Sequence, residues 1–318
     1  MLNLRYKQLL WKRIVPFITC TQSNIKAMSL WPQPTNPSKQ WAERFFLAYT
    51  FVWVFFFGVV VLTGVYINWT DVEYLSLGIG LAAPFILYPL IFPSEVDKKL
   101  HYGERYWVKV NILLKLNFYN SFIQFFFHFH QANIWVGLFS FVGNYFYTHY
   151  FYKVLGAGYT FPVSIQLNEV PFFLYLITHA YFMTYFTLST ILIRCLRTNK
   201  AYLKSSNVQK FIANTILIFT MSVITAFMET FTIQSVPYYT HESKEFMYTV
   251  GSVFYGWYFY VAFPMFYLID EKPVRAWTIS QTITNCLASC MGILICLDLT
   301  RLLLICFEIT PTSTVPFL

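Results

Sequence analysis

Long uncharged runs alternate with short polar ones along most of this chain. The spacing predicts an all-α, polytopic integral membrane protein with seven crossing helices. Segments 45–67, 74–92 and 246–269 carry no charged residue. Segments 134–152, 170–193, 211–233 and 279–305 are equally apolar but each holds one or two titratable groups. Pro84 and Pro89 predict kinks in the second span. Residues 31–39, with three prolines and an Asn-Pro pair, read as an irregular lead-in to the first. A further apolar stretch, 112–133, is rich in Phe, Asn and Ile and includes His128 and His130. Counting it as an eighth span would put the cations of 194–210 on the side opposite Lys98 and Lys99. It is therefore expected to be an inserted, non-crossing segment.

Composition agrees with the pattern. Of 318 residues, 57% are hydrophobic and 11% charged, against about 25% charged in an average globular chain. The net charge of +8 is assigned to loop Lys and Arg rather than to a nucleic-acid surface. Arg194, Arg197, Lys200, Lys204 and Lys210 follow the fourth span. Lys98, Lys99, Arg105 and Lys109 follow the second. These fall on one side with the basic start of the chain, which predicts a cytosolic N-terminus. Residues 1–28 are expected to be a dispensable extension, 29–310 the membrane domain and 311–318 a tail. The six cysteines show no zinc-ligand spacing, so no metal is expected.

The stretch 139–162, FSFVGNYFYTHYFYKVLGAGYTFP, draws the chemistry together. Ten of its 24 residues are Phe or Tyr, where a lipid-facing helix would use Leu, Ile and Val. Asn144, Tyr145, Tyr147 and Tyr150 are candidates for contacts with a bound molecule, as are His179 and Arg301 on other spans. The alternative is an aromatic belt with helix-packing polars. Polar groups at membrane depth face a bundle interior or a cavity. Along a helix, His149 falls roughly 9 Å, His179 about 3 Å and Glu229 about 10 Å to one side of their span centres, on the same side of the bilayer. Asp298 and Arg301 fall in that half as well. Asp298 and Arg301 also stand at i, i+3 and can neutralise each other. Glu229 has no partner on its own helix. It is the first candidate for an acid, with His149 as its proton partner and Asp298 as the reserve.

The same stretch resembles the plant cycloeucalenol cycloisomerase family. So do SLWPQPTNPSKQWAERFF at 29–46, ERYWVKVN at 104–111, Thr178-His179, Phe227-Met228-Glu229-Thr230, Pro237-Tyr238-Tyr239, FPMF at 263–266 with Asp270-Glu271-Lys272, and LDLTRLL at 297–303. The resemblance implies an endoplasmic-reticulum isomerase that opens the 9β,19-cyclopropane ring of cycloeucalenol to give obtusifoliol. A proton adds at the ring methylene, a cation forms at carbon 9, and a proton leaves carbon 8. Such chemistry needs an acid held protonated at neutral pH in a dry, aromatic pocket. It needs no redox cofactor. The implied partners are the 4α-methyl cyclopropyl sterol, membrane lipid and other sterol-pathway enzymes. A seven-span receptor or a transporter is the rival class. Glu104-Arg105-Tyr106 follows the second span rather than the third, and no internal repeat points to a transporter.

Overall fold

The computed structural model describes residues 31–93, 95–99, 131–233, 236–271 and 277–307. The described residues fall in two units, 31–33 and 34–307. In the first, Gln33 Nε2 donates to the Trp31 carbonyl over 2.9 Å. The expected extension 1–28, segment 112–130 of the expected insertion, and the tail 311–318 lie outside the described residues.

The second unit is helical. Its principal helices are α1 (Pro37–Thr63), α2 (Asp71–Ile91), α3 (Gln131–Val142), α4 (Thr148–Val154), α5 (Phe172–Thr198), α6 (Asn207–Ile233), α7 (Ser252–Tyr267) and α8 (Ile279–Cys306). Five of them, α1, α2, α5, α6 and α8, are long and apolar enough to cross a membrane. The protein is a membrane protein. The two other expected spans are helical runs broken by π turns. Gly143–Tyr147 joins α3 to α4, and Met247–Gly251 leads into α7.

Local chemistry sets the helix ends. Asn36, expected in an irregular lead-in, caps α1. Its Oδ1 accepts from the backbone N–H of Ser38 (2.9 Å) and Lys39 (3.3 Å), and Pro37 occupies the first helical position. Gly64 ends α1 in the left-handed region, at φ 66°. Thr278 caps α8 by accepting from the Gln281 N–H, and Gln281 Oε1 accepts from the Thr278 N–H in return.

Helix α2 continues through both prolines because its neighbours satisfy what the prolines free. A proline removes the hydrogen bond to the carbonyl four residues back. The Gly80 carbonyl, freed by Pro84, accepts from Tyr49 Oη (3.1 Å) on α1. The Phe85 carbonyl, freed by Pro89, accepts from Asn133 Nδ2 (3.1 Å) on α3. Asn133 is thus built into the bundle, although the sequence places it at the edge of an insertion.

Helix α5 is the central post. It packs against α1, α2, α3, α6 and α7, and 67% of its apolar stretch is buried against 22–39% for the other four long helices. The core between α3, α5 and α7 is aromatic. Trp135, Phe139, Phe186, Phe259, Phe263 and Phe266 interlock there at ring separations of 4.8–5.8 Å.

One end of α5 holds a buried ion cluster that the sequence conceals. Arg194 is 2% exposed, inside the helix rather than in a loop. Its guanidinium donates to both oxygens of Glu43 (2.7 and 2.8 Å) and both of Glu271 (2.6 and 2.8 Å). Lys39 Nζ meets Glu271 at 2.8 Å and the Ile269 carbonyl at 2.6 Å. Among the described residues two cations face two carboxylates. Burial pulls the Glu271 carboxyl upward, but hydrogen bonds from Arg194 and the Lys39 charge outweigh it and hold the group below its ordinary value.

Candidate functional site

At another place in the bundle, two cavities meet at one carboxyl. The larger, about 120 Å³, is bounded by Phe57, Val60 and Val61 of α1, Tyr74 and Leu77 of α2, and Leu174, Ile177 and Tyr181 of α5. The smaller, about 70 Å³, lies against the π turn and α4 through Gly143, Asn144, Thr148, Phe151 and Tyr152, with Tyr255 and Tyr258 of α7 opposite. Five residues line both: Tyr159, Thr178, Glu229, Ile233 and Tyr239.

Two short segments cover the pair. Strand β1 (Gly158–Tyr159) pairs antiparallel with β4 (Tyr239–Thr240), Tyr159 opposite Tyr239. Thr160 N–H adds a bond to the Tyr238 carbonyl (2.8 Å). This brings two motifs far apart in sequence, GYTF at 158–161 and PYYT at 237–240, onto one cover. A second hairpin, β2 (Gln166–Leu167) with β3 (Val170–Pro171), turns through Asn168 and Glu169 at φ 53° and 62°. It clamps the π turn, where Asn168 Nδ2 donates to the Tyr145 carbonyl (2.6 Å).

Among the described residues Glu229 is the one carboxyl in the two cavity walls. Tyr255 Oη donates to its Oε1 over 2.7 Å, and the Tyr185 side chain adjoins the carboxyl. Its Oε2 is fully enclosed and has no hydrogen-bond partner. No cation pairs with Glu229 among the described residues, and Arg301 pairs with Asp298. A carboxyl set among phenols, with one oxygen left over, can hold a proton on that oxygen and present it to a neighbouring molecule.

Asn144 is the second predicted residue in a cavity wall. It is 6% exposed, and its Nδ2 donates to the Ser140 carbonyl and to Thr178 Oγ1, both at 2.8 Å. The other predicted residues stand outside both walls. His149 packs its ring on Tyr152 (5.6 Å), and its Nε2 is enclosed without a partner. His179 Nε2 and Asn133 Oδ1 are 2.9 Å apart, so His179 steadies the side chain that satisfies α2. Tyr147 is fully buried and donates to the Cys290 carbonyl (3.1 Å). Tyr145 stacks on Phe141 (5.6 Å). Asp298 pairs with Arg301 at 2.9 Å, and Tyr150 adjoins that pair. Tyr255, Tyr159, Tyr239 and Thr178 complete the site. The sequence signals were a tyrosine-rich uncharged span and three motifs, 139–162, Thr178-His179 and Pro237-Tyr238-Tyr239, and none specifies which hydroxyl meets the carboxyl. Among the described residues no group of three or more His, Cys, Asp or Glu gathers as metal ligands.

Among the described residues, this helical membrane bundle sets one carboxyl without a cation partner in the walls of two aromatic cavities, an arrangement of the membrane-embedded enzyme class. The chain is 40% identical over 283 residues to a cycloeucalenol cycloisomerase of Arabidopsis thaliana, covering 89% of this chain and 92% of that protein. It belongs to the cycloeucalenol cycloisomerase family, and it is an isomerase. No family model and no solved structure matches.

Proposed function

We propose that this protein opens the 9β,19-cyclopropane ring of cycloeucalenol to give the Δ8 sterol obtusifoliol. The observation that carries the reading is Glu229, enclosed at the junction of two cavities with Oε2 unbonded and Tyr255 on Oε1. Protonated Glu229 donates from Oε2 to the ring methylene, which becomes the methyl group on carbon 10. The C9–C19 bond electrons form the new C–H bond and leave a tertiary cation at carbon 9. The proton on carbon 8 passes to a base, with His149 as the proposed partner that receives or relays it, and its bond electrons form the 8,9 double bond and discharge the cation. Tyr159, Tyr181, Phe161 and Phe173 line the larger cavity, where ring faces favour a cation and exclude water. His149 is the proposed proton partner and Asp298 the reserve acid. Neither lines the cavities, which favours Glu229 as the group that meets substrate. No proton count here requires a cofactor.

The proposal extends to topology. The two π-interrupted runs, 131–154 and 244–267, complete seven crossings in the endoplasmic-reticulum membrane with a cytosolic N-terminus. Lys200 and Lys204 are exposed and belong to the cytosolic side. Membranes containing the protein, incubated with cycloeucalenol, should accumulate the Δ8 isomer by gas chromatography and mass spectrometry. Absence of product from correctly inserted protein would overturn the reading and return the receptor and transporter classes. A cysteine at Ser205 labelled only from the lumen would reverse the orientation.

A further inference from the structure

The two cavities differ in a way that orients the substrate. Apart from the five shared residues, the larger is walled mainly by hydrocarbon, with Phe57, Val60, Leu77, Phe173, Leu174 and Ile177. The smaller adds Asn144, Thr148, Tyr152, Thr230, Tyr255 and Tyr258. The reacting methylene of a cyclopropyl sterol bridges carbons 9 and 10. Carbon 10 closes ring A, which carries the 3-hydroxyl, so the hydroxyl lies about one ring from the bond that breaks. The hydrocarbon side chain leaves from the opposite end. With Glu229 on the shared wall, the hydroxyl end and the side chain fall on its two sides.

Within the smaller cavity the amide of Asn144 is distinctive. Both of its Nδ2 hydrogens are committed, to the Ser140 carbonyl and to Thr178 Oγ1. Thr178 Oγ1 in turn donates to the Leu174 carbonyl (2.8 Å). Turning the amide over would set Oδ1 against the Ser140 carbonyl, acceptor against acceptor, so the amide has one orientation. Oδ1 accepts no hydrogen bond among the described residues, and Asn144 is the one side-chain amide in that wall. The Thr148, Tyr152 and Tyr255 hydroxyls already donate, to the Gly143 carbonyl, the Glu169 carbonyl and Glu229.

We propose that Asn144 Oδ1 accepts the hydrogen bond of the sterol 3-hydroxyl, so that ring A occupies the smaller cavity and the side chain the larger. Asn144 is then a specificity-determining residue. This inference rests on the proposed isomerase activity. A site built to bond a hydroxyl discriminates against the analogue lacking it, because the buried acceptor is left unpaired.

The test compares a 3-hydroxy cyclopropyl sterol with its 3-deoxy analogue in the full-length, membrane-inserted protein. Wild type should prefer the 3-hydroxy substrate at least about tenfold in kcat/KM, the scale of one buried hydrogen bond. Asn144→Leu should bring the ratio to about one, because the 3-hydroxy reaction slows by about tenfold more than the 3-deoxy reaction does. If the leucine variant fails to insert, Asn144→Ser, too short to reach, is expected to behave alike. A preference that survives in the variant, an equal loss on both substrates, or a wild type indifferent to the hydroxyl each overturns the inference. Failure of the activity reading is distinguishable, since wild type would then open neither ring.

Discussion

Two carboxyl-bearing clusters are built into this bundle on opposite terms. Glu43 and Glu271 share Arg194 and Lys39, with bonds of 2.6–2.8 Å to the guanidinium. Glu229 has the Tyr255 phenol on Oε1 and the Tyr185 side chain beside the carboxyl, and its Oε2 accepts no hydrogen bond among the described residues. The first arrangement is closed among the described residues, two cations against two carboxylates, and it joins α1, α5 and the segment after α7. The second is open, and it lies in the walls of two cavities. Removing water from a carboxyl is costly in both places. Only the open cluster keeps an oxygen available for a molecule from outside. The contrast separates a carboxyl that holds helices together from the one proposed to transfer a proton.

The largest effect is expected where balance is broken. Arg194→Leu strands two carboxylates on a single lysine and should destabilise by about 3–5 kcal/mol, the cost of orphaning a buried charge. Thermal unfolding in detergent measures it. A loss under about 1 kcal/mol would make the two clusters equivalent and remove the contrast. Next comes Glu229→Gln, expected to cut turnover about 10²-fold or more while unfolding stays near wild type. Near-normal turnover would move the acid to Asp298. Combining Glu229→Gln with Arg301→Leu should restore nothing, because the two groups are not partners.

Tyr255→Phe removes the bond to Oε1 alone. It should slow turnover about three- to tenfold, the worth of a single hydrogen bond, and change the pH profile of kcat with it. A loss of stability without a change in that profile would make Tyr255 a packing residue. The smallest effect concerns acid. The Glu271 carboxyl is held below its ordinary value in the folded protein, so its contribution is present above the unfolded value, about 4.3, and fades as pH falls through the folded one. Unfolding temperature should drop in that acid window, and the drop should shrink in Glu271→Gln. An unchanged acid profile in that variant would assign the loss to other groups.

The sequence makes the long spans legible because hydropathy needs no partner. α6 and α8 begin and end within a few residues of their expected bounds. Glu229 stood out for a similar reason, as the one charged-type residue in its span. The ion cluster was not legible. Lys39 and Glu43 read as the approach to a span, Arg194 as a loop cation and Glu271 as part of a motif. Their meeting depends on contacts more than 70 residues apart in the chain. Tyr255 was missed because a tyrosine in an aromatic span carries no local mark. His179 and Tyr147 drew notice by residue type, but tertiary packing gives them backbone-supporting partners. The resemblance identified the family and left these contacts unstated.

The π turn at Gly143–Tyr147 has a consequence for how this stretch tolerates change. A π turn holds one residue more than the α turn it replaces. That supernumerary residue acts as an expansion joint, taken up within one turn so that the run returns to phase. Deleting one of the five would close the joint and wind the run back to α, leaving Thr148, Phe151 and Tyr152 on nearly the same face. A gap in α3 has no such slack and would turn the residues after it by about 100°. Tolerance for a lost residue is therefore confined to the joint itself.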